Sequence, residues 1–328
     1  MIKQSNRYKA LQRQKKDKQD EYYTLYETIE DELSCYDVKY FKNKVIYCNC
    51  DNPYESNFFK YFVINFNRLG LKKLICTCYN GQPGIGEQMT LFDESFKPNE
   101  KALKIEVNVV DDSCIENPMI GSVLRLEDNR LIELIGNGSF DSPECLETLK
   151  ESDIVVSNPP FSLFRRYIYT LNKYGKDFIV LGSLCAIDCK DICWKIFVEN
   201  TIYTGATING KSVNFYNKGK LKKVNVMWYT TIKLSINKPR LQPTKLYESK
   251  NYFKYNNYDA INVDKIKDIP YNYKGIMGVP ITLFCKYDWS KDYEFIKSKY
   301  GDDNKGLTYT DYNGNKVKPY TRILIRHK

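Results

Sequence analysis

The nine residues Asp153-Ile154-Val155-Val156-Ser157-Asn158-Pro159-Pro160-Phe161 constrain this chain more than any other stretch. Ile154 to Val156 is a short β-branched run between polar residues, which reads as a buried strand. Proline cannot donate to a ladder and restricts the residue before it, so the two prolines end that strand in a stiff, extended loop. Phe161, Phe164, Tyr167, Ile168 and Leu171 then recur at helical spacing. Asn-Pro-Pro-Phe is therefore expected at the carboxyl end of a strand, where open α/β sheets bind their ligands.

That placement suits methyl transfer to an exocyclic amino group. An aromatic NH2 is a poor nucleophile because its lone pair is delocalised into the ring. The side-chain carbonyl of Asn158 and the backbone carbonyl of Pro159 would each accept one N–H bond, drawing the nitrogen toward sp3 geometry. Pro160 stiffens the loop, so the acceptors are set before the reaction. Phe161 would stack on the ring of a base turned out of a duplex. An ordinary strand-ending turn is the competing account, and the strand before and helix after it argue against that.

The chain has 328 residues, of which 42% are hydrophobic, enough for one large domain or two smaller ones with ample core. No apolar run approaches the length of a membrane span, and the basic N-terminus has no apolar signal region. A cytoplasmic location follows as the expectation. Eleven cysteines, an odd number in a long chain, point to reduced thiols rather than a disulfide framework. Cys48/Cys50 and Cys76/Cys78 are Cys-x-Cys pairs inside apolar runs, and Cys185, Cys189 and Cys193 recur every four residues. Neither spacing is the usual one for zinc or an iron–sulfur cluster, so small apolar core residues are the better account and no metal is expected. A single histidine, His327, sets aside most metal-hydrolase, Ser-His and Cys-His mechanisms.

The formal net charge of +10 is unevenly placed. Between Glu199 and Glu248 there is no acidic residue, and the interval carries Lys211, Lys218, Lys220, Lys222, Lys223, Lys233, Lys238, Arg240 and Lys245. Interleaved with Tyr203, Phe215, Tyr216, Trp228 and Tyr229, it suits a phosphate backbone with unstacked bases. The competing account is a solvated basic face. Residues 1–19 hold seven further Lys and Arg and read as a basic arm.

From about residue 40 to 232, strand-like and helical runs alternate. Val45–Cys48, a helix over Tyr54–Asn67 and Lys72–Cys78 form a βαβ unit, whose first loop should face a cofactor. Leu103–Val110 reads as a strand, Ser122–Leu126 and Arg130–Ile135 as a hairpin, and Ala186–Val198 as a helix. Beyond Pro239 and Pro243 the texture turns rich in Tyr, Asn and Lys, with a strand over Ile276–Phe284, a helix over Trp289–Lys299 and a hairpin at Asn313-Gly314. The fold class expected is α/β, a mostly parallel sheet flanked by helices with a smaller C-terminal α+β lobe. The expected division is an arm over 1–19, a catalytic domain over 20–238 and a lobe over 239–328.

At several separated places the residues resemble one family. These are Asp20-Glu21-Tyr22-Tyr23-Thr24, Val45 to Asp51, Ser56 to Phe62, Leu69 to Leu74, Ser152 to Phe164, Asn257 to Val263 and Met277 to Thr282. The chain resembles the EcoRI-type adenine-specific DNA methyltransferases. The resemblance implies the S-adenosylmethionine-dependent methyltransferase fold and methylation of adenine N6 in double-stranded DNA. It also implies either the modification enzyme of a restriction-modification system, beside a cognate restriction endonuclease acting on the same site, or an orphan methylase. Tyr23 and Thr24 look like the element lying against the methionine end of the cofactor. Asn49, Asp51 and Asn52 occupy the first cofactor loop, and Phe140 and Asp141 look like the stretch beside the cofactor's adenine. Asn158 to Phe161 match the catalytic loop. The usual glycine-rich first motif is replaced here by Cys48-Asn49-Cys50-Asp51.

The C-terminal lobe is expected to read the DNA, and Lys218, Lys220, Lys222, Lys223, Lys233, Lys238 and Arg240 to meet its backbone, with the chain acting as a monomer. N4-cytosine methylation, RNA adenine methylation and a DNA-binding protein with a degenerate cofactor pocket are the alternatives. The Asn in the motif favours adenine, and the basic interval favours nucleic acid.

Overall fold

The protein is described by a computed structural model over residues 24–79, 101–208, 212–217, 220–234, 238–298 and 305–328. The expected basic arm, Tyr23 and Lys218 lie outside the described residues.

Helix α1 (Tyr26–Leu33) buries Ile29 and Leu33 and precedes β1 (Val45–Cys48), whose four residues are all buried. A strand buried on both faces reads as continuous apolar sequence, as Val-Ile-Tyr-Cys does. Helices α2 (Asn57–Ile64) and α3 (Phe66–Leu69) follow, with Phe58, Phe59, Phe62 and Phe66 buried. Asn65, between them, ends the first helix, so the single helix expected over 54–67 is two shorter ones. The chain then turns at Gly70, in the left-handed region at φ 62°, into β2 (Lys73–Cys78).

After β3 (Leu103–Val107) come α4 (Asp112–Glu116), α5 (Ile120–Val123) and β4 (Arg130–Glu133). The hairpin expected around Asp128-Asn129 is not formed, because Ser122 lies in α5 and β4 pairs with β3 instead. Asn129 explains this connection. Its buried side chain accepts from the N–H groups of Asn108 and Val109 and donates to the carbonyls of Val109 and Val123. Helix α6 (Pro143–Glu151), capped by Ser142, leads to β5 (Ile154–Ser157), α7 (Phe164–Lys173) and β6 (Asp177–Ser183).

Helix α8 (Lys190–Phe197), β7 (Tyr203–Thr204), β8 (Ser212–Asn217) and β9 (Lys220–Thr230) come next. The helix expected from Ala186 begins only at Lys190, after a 3-10 turn over Leu184–Asp188. Cys185, Cys189 and Cys193 therefore do not share one helix face.

The chain forms two compact units. The first holds the residues through Gly182 and Val213–Val224, and the second holds Ser183–Ser212 and Asn225–Lys328. In the first unit the strand order is β4-β3-β2-β1-β5-β6. The β1–β2, β1–β5 and β5–β6 pairs are parallel, while β2–β3 and β3–β4 are antiparallel. In the second unit β7 pairs antiparallel with β9. The sheet is mixed rather than mostly parallel, because the chain after β2 returns alongside it instead of crossing over.

The second unit also carries β10 (Ile261–Asn262), β11 (Met277–Pro280), α9 (Thr282–Lys286), β12 (Tyr293–Lys297) and β15 (Arg322–His327), in the sheet order β10-β11-β15-β12. A small ribbon of β13 (Tyr309–Thr310) and β14 (Lys316–Val317) flanks the turn at Asn313-Gly314, as expected. The helix expected over Trp289–Lys299 is β12, whose Phe295 lies opposite Ile325 and stacks on Phe197. Cross-strand and aromatic packing decide the conformation of this short segment over its local preference.

All eleven cysteines are free thiols; Cys48 and Cys76 lie opposite each other on β1 and β2, and both are buried. No helix among the described residues is long and apolar enough to cross a membrane.

Candidate active site

Strand β5 ends at Ser157, which is fully buried, and Asn158-Pro159-Pro160 leave it outside any helix or strand. A 3-10 turn over Phe161–Leu163 follows, closed by the Leu163 N–H on the Pro160 carbonyl at 2.9 Å, and leads straight into α7. Asn158 and Phe161 are half-buried, and Phe161 stands edge-on to Phe215 with ring centroids 6.5 Å apart. The base of the helix is set by Phe164, whose ring passes so close to Gly182 that a Cβ there would sit 2.4 Å from it. The strand–loop–helix predicted from the motif is thus present, with its loop between β5 and α7.

Strand β1 runs parallel to β5 and ends beside it. Asn49, immediately after β1, is buried, and its Oδ1 accepts from the Tyr167 hydroxyl at 2.5 Å. The Asp51 carboxylate accepts from the Ser157 hydroxyl at 2.7 Å and from the Ser56 hydroxyl at 3.1 Å. Ser56 also caps α2, accepting from the N–H groups of Phe58 and Phe59. Asn52 shapes the same loop, its side chain accepting from the Tyr54 N–H and its carbonyl from the Ser56 N–H. Thr24 is buried against α2, its carbonyl bonded by the Asn57 side chain at 2.8 Å.

Phe140 and Asp141 reach the same helix. Phe140 is buried and meets Tyr167 edge-on at 5.0 Å. Asp141 is ion-paired with Arg166, whose guanidinium also lies over the Phe140 ring at 6.0 Å, and it accepts from the Ser139 hydroxyl at 2.7 Å. The turn before them depends on Gly138, in the left-handed region at φ 70°, where a Cβ would stand 2.1 Å from the Cys78 carbonyl. Burial pushes the Tyr167 phenol well above the ordinary tyrosine range, with Cys50 and Asp51 adding to the effect and the Ser157 hydroxyl opposing it.

The structure therefore joins Asn49, Asp51, Phe140 and Asp141 to β5 and α7, the elements on either side of Asn158 to Phe161. Ser56, Ser157, Arg166 and Tyr167 hold that arrangement and were not singled out as site residues in the sequence. Ser56 carried a usable signal, a serine directly before an apolar helical run. Tyr167 looked only like a core position. Two buried polar atoms here, the Thr24 hydroxyl oxygen and the Asn49 amide nitrogen, have no hydrogen-bond partner among the described residues. Such atoms are costly to bury unless a ligand satisfies them, so the residues present fit a polar cofactor.

The basic residues separate. Lys220 and Lys222 lie on β9, and Lys223 is exposed. Lys233 and Lys238 line a cavity of about 520 Å³ in the second unit, together with Tyr203, Tyr287 and Trp289. Lys238 donates to the Thr204 hydroxyl and to the Phe284 carbonyl. Arg240 is ion-paired with Asp292, so the interval that lacks acids in sequence borrows one in space.

The chain matches, over residues 10–328, the model of a family described as adenine-specific methyltransferase EcoRI. It is 39% identical to the type II methyltransferase M.EcoRI of Escherichia coli, an alignment covering 98% of this chain and 97% of that protein. It is 36% identical to the type II methyltransferase M.MpnI of Mycoplasma pneumoniae, over 96% of this chain and 97% of the relative. A third relative, the type II methyltransferase M.MgeORF184P of Mycoplasma genitalium, is 34% identical over the same shares. No solved structure matches the chain.

Proposed function

Because the chain belongs to the EcoRI family of adenine-specific methyltransferases, we propose that it methylates N6 of an adenine turned out of double-stranded DNA, with S-adenosylmethionine as donor. The observation that carries this reading is Asn158-Pro159-Pro160-Phe161 at the end of β5, beside the loop after β1, where the buried Asn49 amide nitrogen has no hydrogen-bond partner among the described residues.

S-adenosylmethionine supplies a methyl group made electrophilic by the attached sulfonium. Thr24, Asn49, Asp51 and Asn52 would hold its polar end, with Tyr23 just before them in the chain, and Phe140 and Asp141 its adenine. Asn158 Oδ1 and the Pro159 carbonyl would accept the two N–H bonds of the target amine and so free its lone pair. Pro160 keeps that loop from relaxing, and Phe161 would stack on the extruded base. The amine needs no side-chain nucleophile.

On the DNA, Lys218, Lys220, Lys222, Lys223, Lys233, Lys238 and Arg240 would meet phosphates, with residues 239–328 reading the sequence. The reading includes a cytoplasmic monomer that protects the sites of a cognate restriction endonuclease. Methyl transfer from labelled S-adenosylmethionine to unmethylated genomic DNA, followed by single-molecule sequencing, tests it. N6-methyladenine at one short motif is the expected result, and unmarked DNA with bound cofactor would overturn it in favour of another substrate.

A further inference from the structure

We infer that the Asp51 side chain is a positioning residue, which holds the catalytic loop in place through Ser157. This rests on the reaction proposed above and gives Asp51 a task in it beyond the cofactor loop.

The two oxygens of the carboxylate serve different walls of the site. Oδ1 accepts from Ser56, the residue whose hydroxyl oxygen also caps the first turn of α2. Oδ2 accepts from Ser157 at 2.7 Å, across 106 positions of sequence. A hydroxyl bonded to a carboxylate at this distance is among the stronger neutral-to-charged hydrogen bonds. Ser157 is the last residue of β5, is fully buried, and is bonded through its own peptide to Asn158. Rotation of Ser157 would move the Asn158 carbonyl that is meant to meet the amine. The carboxylate thus fixes the spacing between the first loop and the catalytic loop.

The geometry also explains the residue types. Ser56 must both donate and accept, because it caps a helix and bonds Asp51, and a hydroxyl does both. Ser157 must fit a strand position with no exposed surface, which favours the smallest hydroxyl side chain. Asp51 must reach two hydroxyls on opposite sides, which a carboxylate does with its two acceptor oxygens. Small displacements of reacting groups cost rate steeply, so loss of the Ser157 end of the link should fall on the chemical step, while Asp51 variants also lose the cofactor contact proposed above.

The test compares Ser157→Ala, Asp51→Ala, Asp51→Asn and the double Asp51→Ala/Ser157→Ala variant, all in the full chain. Single-turnover methyl transfer to genomic DNA, S-adenosylmethionine affinity by calorimetry and melting temperature are measured for each. Ser157→Ala is expected to lower the single-turnover rate tenfold or more while changing cofactor affinity less than twofold. Asp51→Asn, which can still accept from one serine, should recover part of the rate lost in Asp51→Ala. The double variant should be no slower than Asp51→Ala within twofold, because both substitutions remove one link. Full rate in a folded Ser157→Ala, or multiplicative losses in the double variant, would overturn the role while leaving the proposed reaction standing. Wild-type protein that leaves the DNA unmarked would overturn the reaction and this role together.

Discussion

Tyr167 donates its hydroxyl to Asn49 Oδ1 at 2.5 Å, joining the helix after the Asn158–Phe161 loop to the end of the central strand β1. The two residues are 118 positions apart and both are buried, so the bond ties two distant parts of the chain together. Phe140 packs on the same tyrosine ring, and one side chain thereby supports two loops.

Tyr167→Phe should destabilise the fold by about 1–3 kcal/mol, since it leaves a buried carbonyl without its donor. It should also weaken cofactor binding, because Asn49 loses its orientation. Burial raises this phenol, so the fold favours the protonated form. Its contribution is complete below the ordinary tyrosine value of about 10 and is lost as pH climbs through the raised value. The melting temperature of the wild type should therefore fall more steeply than that of Tyr167→Phe above pH 10, in a series of thermal melts.

Asn158→Ala should abolish methyl transfer, by a factor of at least a hundred, and keep S-adenosylmethionine affinity near wild type. One acceptor for the amine is lost, while the first loop is untouched. Calorimetry and a methylation assay read the two quantities separately. Loss of both in parallel would make the residue structural.

Gly138→Ala places a methyl group 2.1 Å from the Cys78 carbonyl, at a φ of 70° that alanine disfavours. A loss of about 2 kcal/mol or more is expected from the backbone strain and the clash combined. Urea unfolding measures it, and near-wild-type stability would show that the turn can open without cost.

Reversal of Lys222 and Lys223 to glutamate should weaken DNA binding and flatten its salt dependence, because each lost phosphate contact removes about one released counterion. Fluorescence anisotropy with a labelled duplex at several salt concentrations reads the slope. An unchanged slope would move the DNA face away from β9.

The parts of the fold that the residues announced were those with strong local signals. Val45–Cys48 and Ile154–Ser157 are apolar runs ended by polar or proline residues, and both are central strands. The turn at Asn313-Gly314 was equally plain. The failures came where distant packing decides. Nothing local distinguishes β12 from a helix until Phe295 finds Phe197 and Ile325. The hairpin that fails to form at Asp128-Asn129 has the same origin, since Asn129 bonds four backbone groups upstream of it, on Asn108, Val109 and Val123. At the site, the motif marked Asn158 to Phe161, and the family likeness marked Asn49, Asp51, Phe140 and Asp141. Of the residues binding these together, Ser56 bonds locally to Asp51, whereas Ser157, Arg166 and Tyr167 act through pairings far apart in sequence. Periodicity and spacing carry no information about such pairs.

The opposed thiols of Cys48 and Cys76 turn the centre of the sheet into a clock. Burial raises the Cys48 thiol well above its ordinary range, so in the closed protein almost no reactive thiolate is offered there. Cys35 and Cys185, by contrast, are exposed to a labelling reagent in the folded protein. Labelling of Cys48 itself, resolved from the other buried thiols by peptide mapping, then counts how often β1 and β2 part. A molecule that settles at the end of β1 must lengthen that interval, whatever signal it gives of its own.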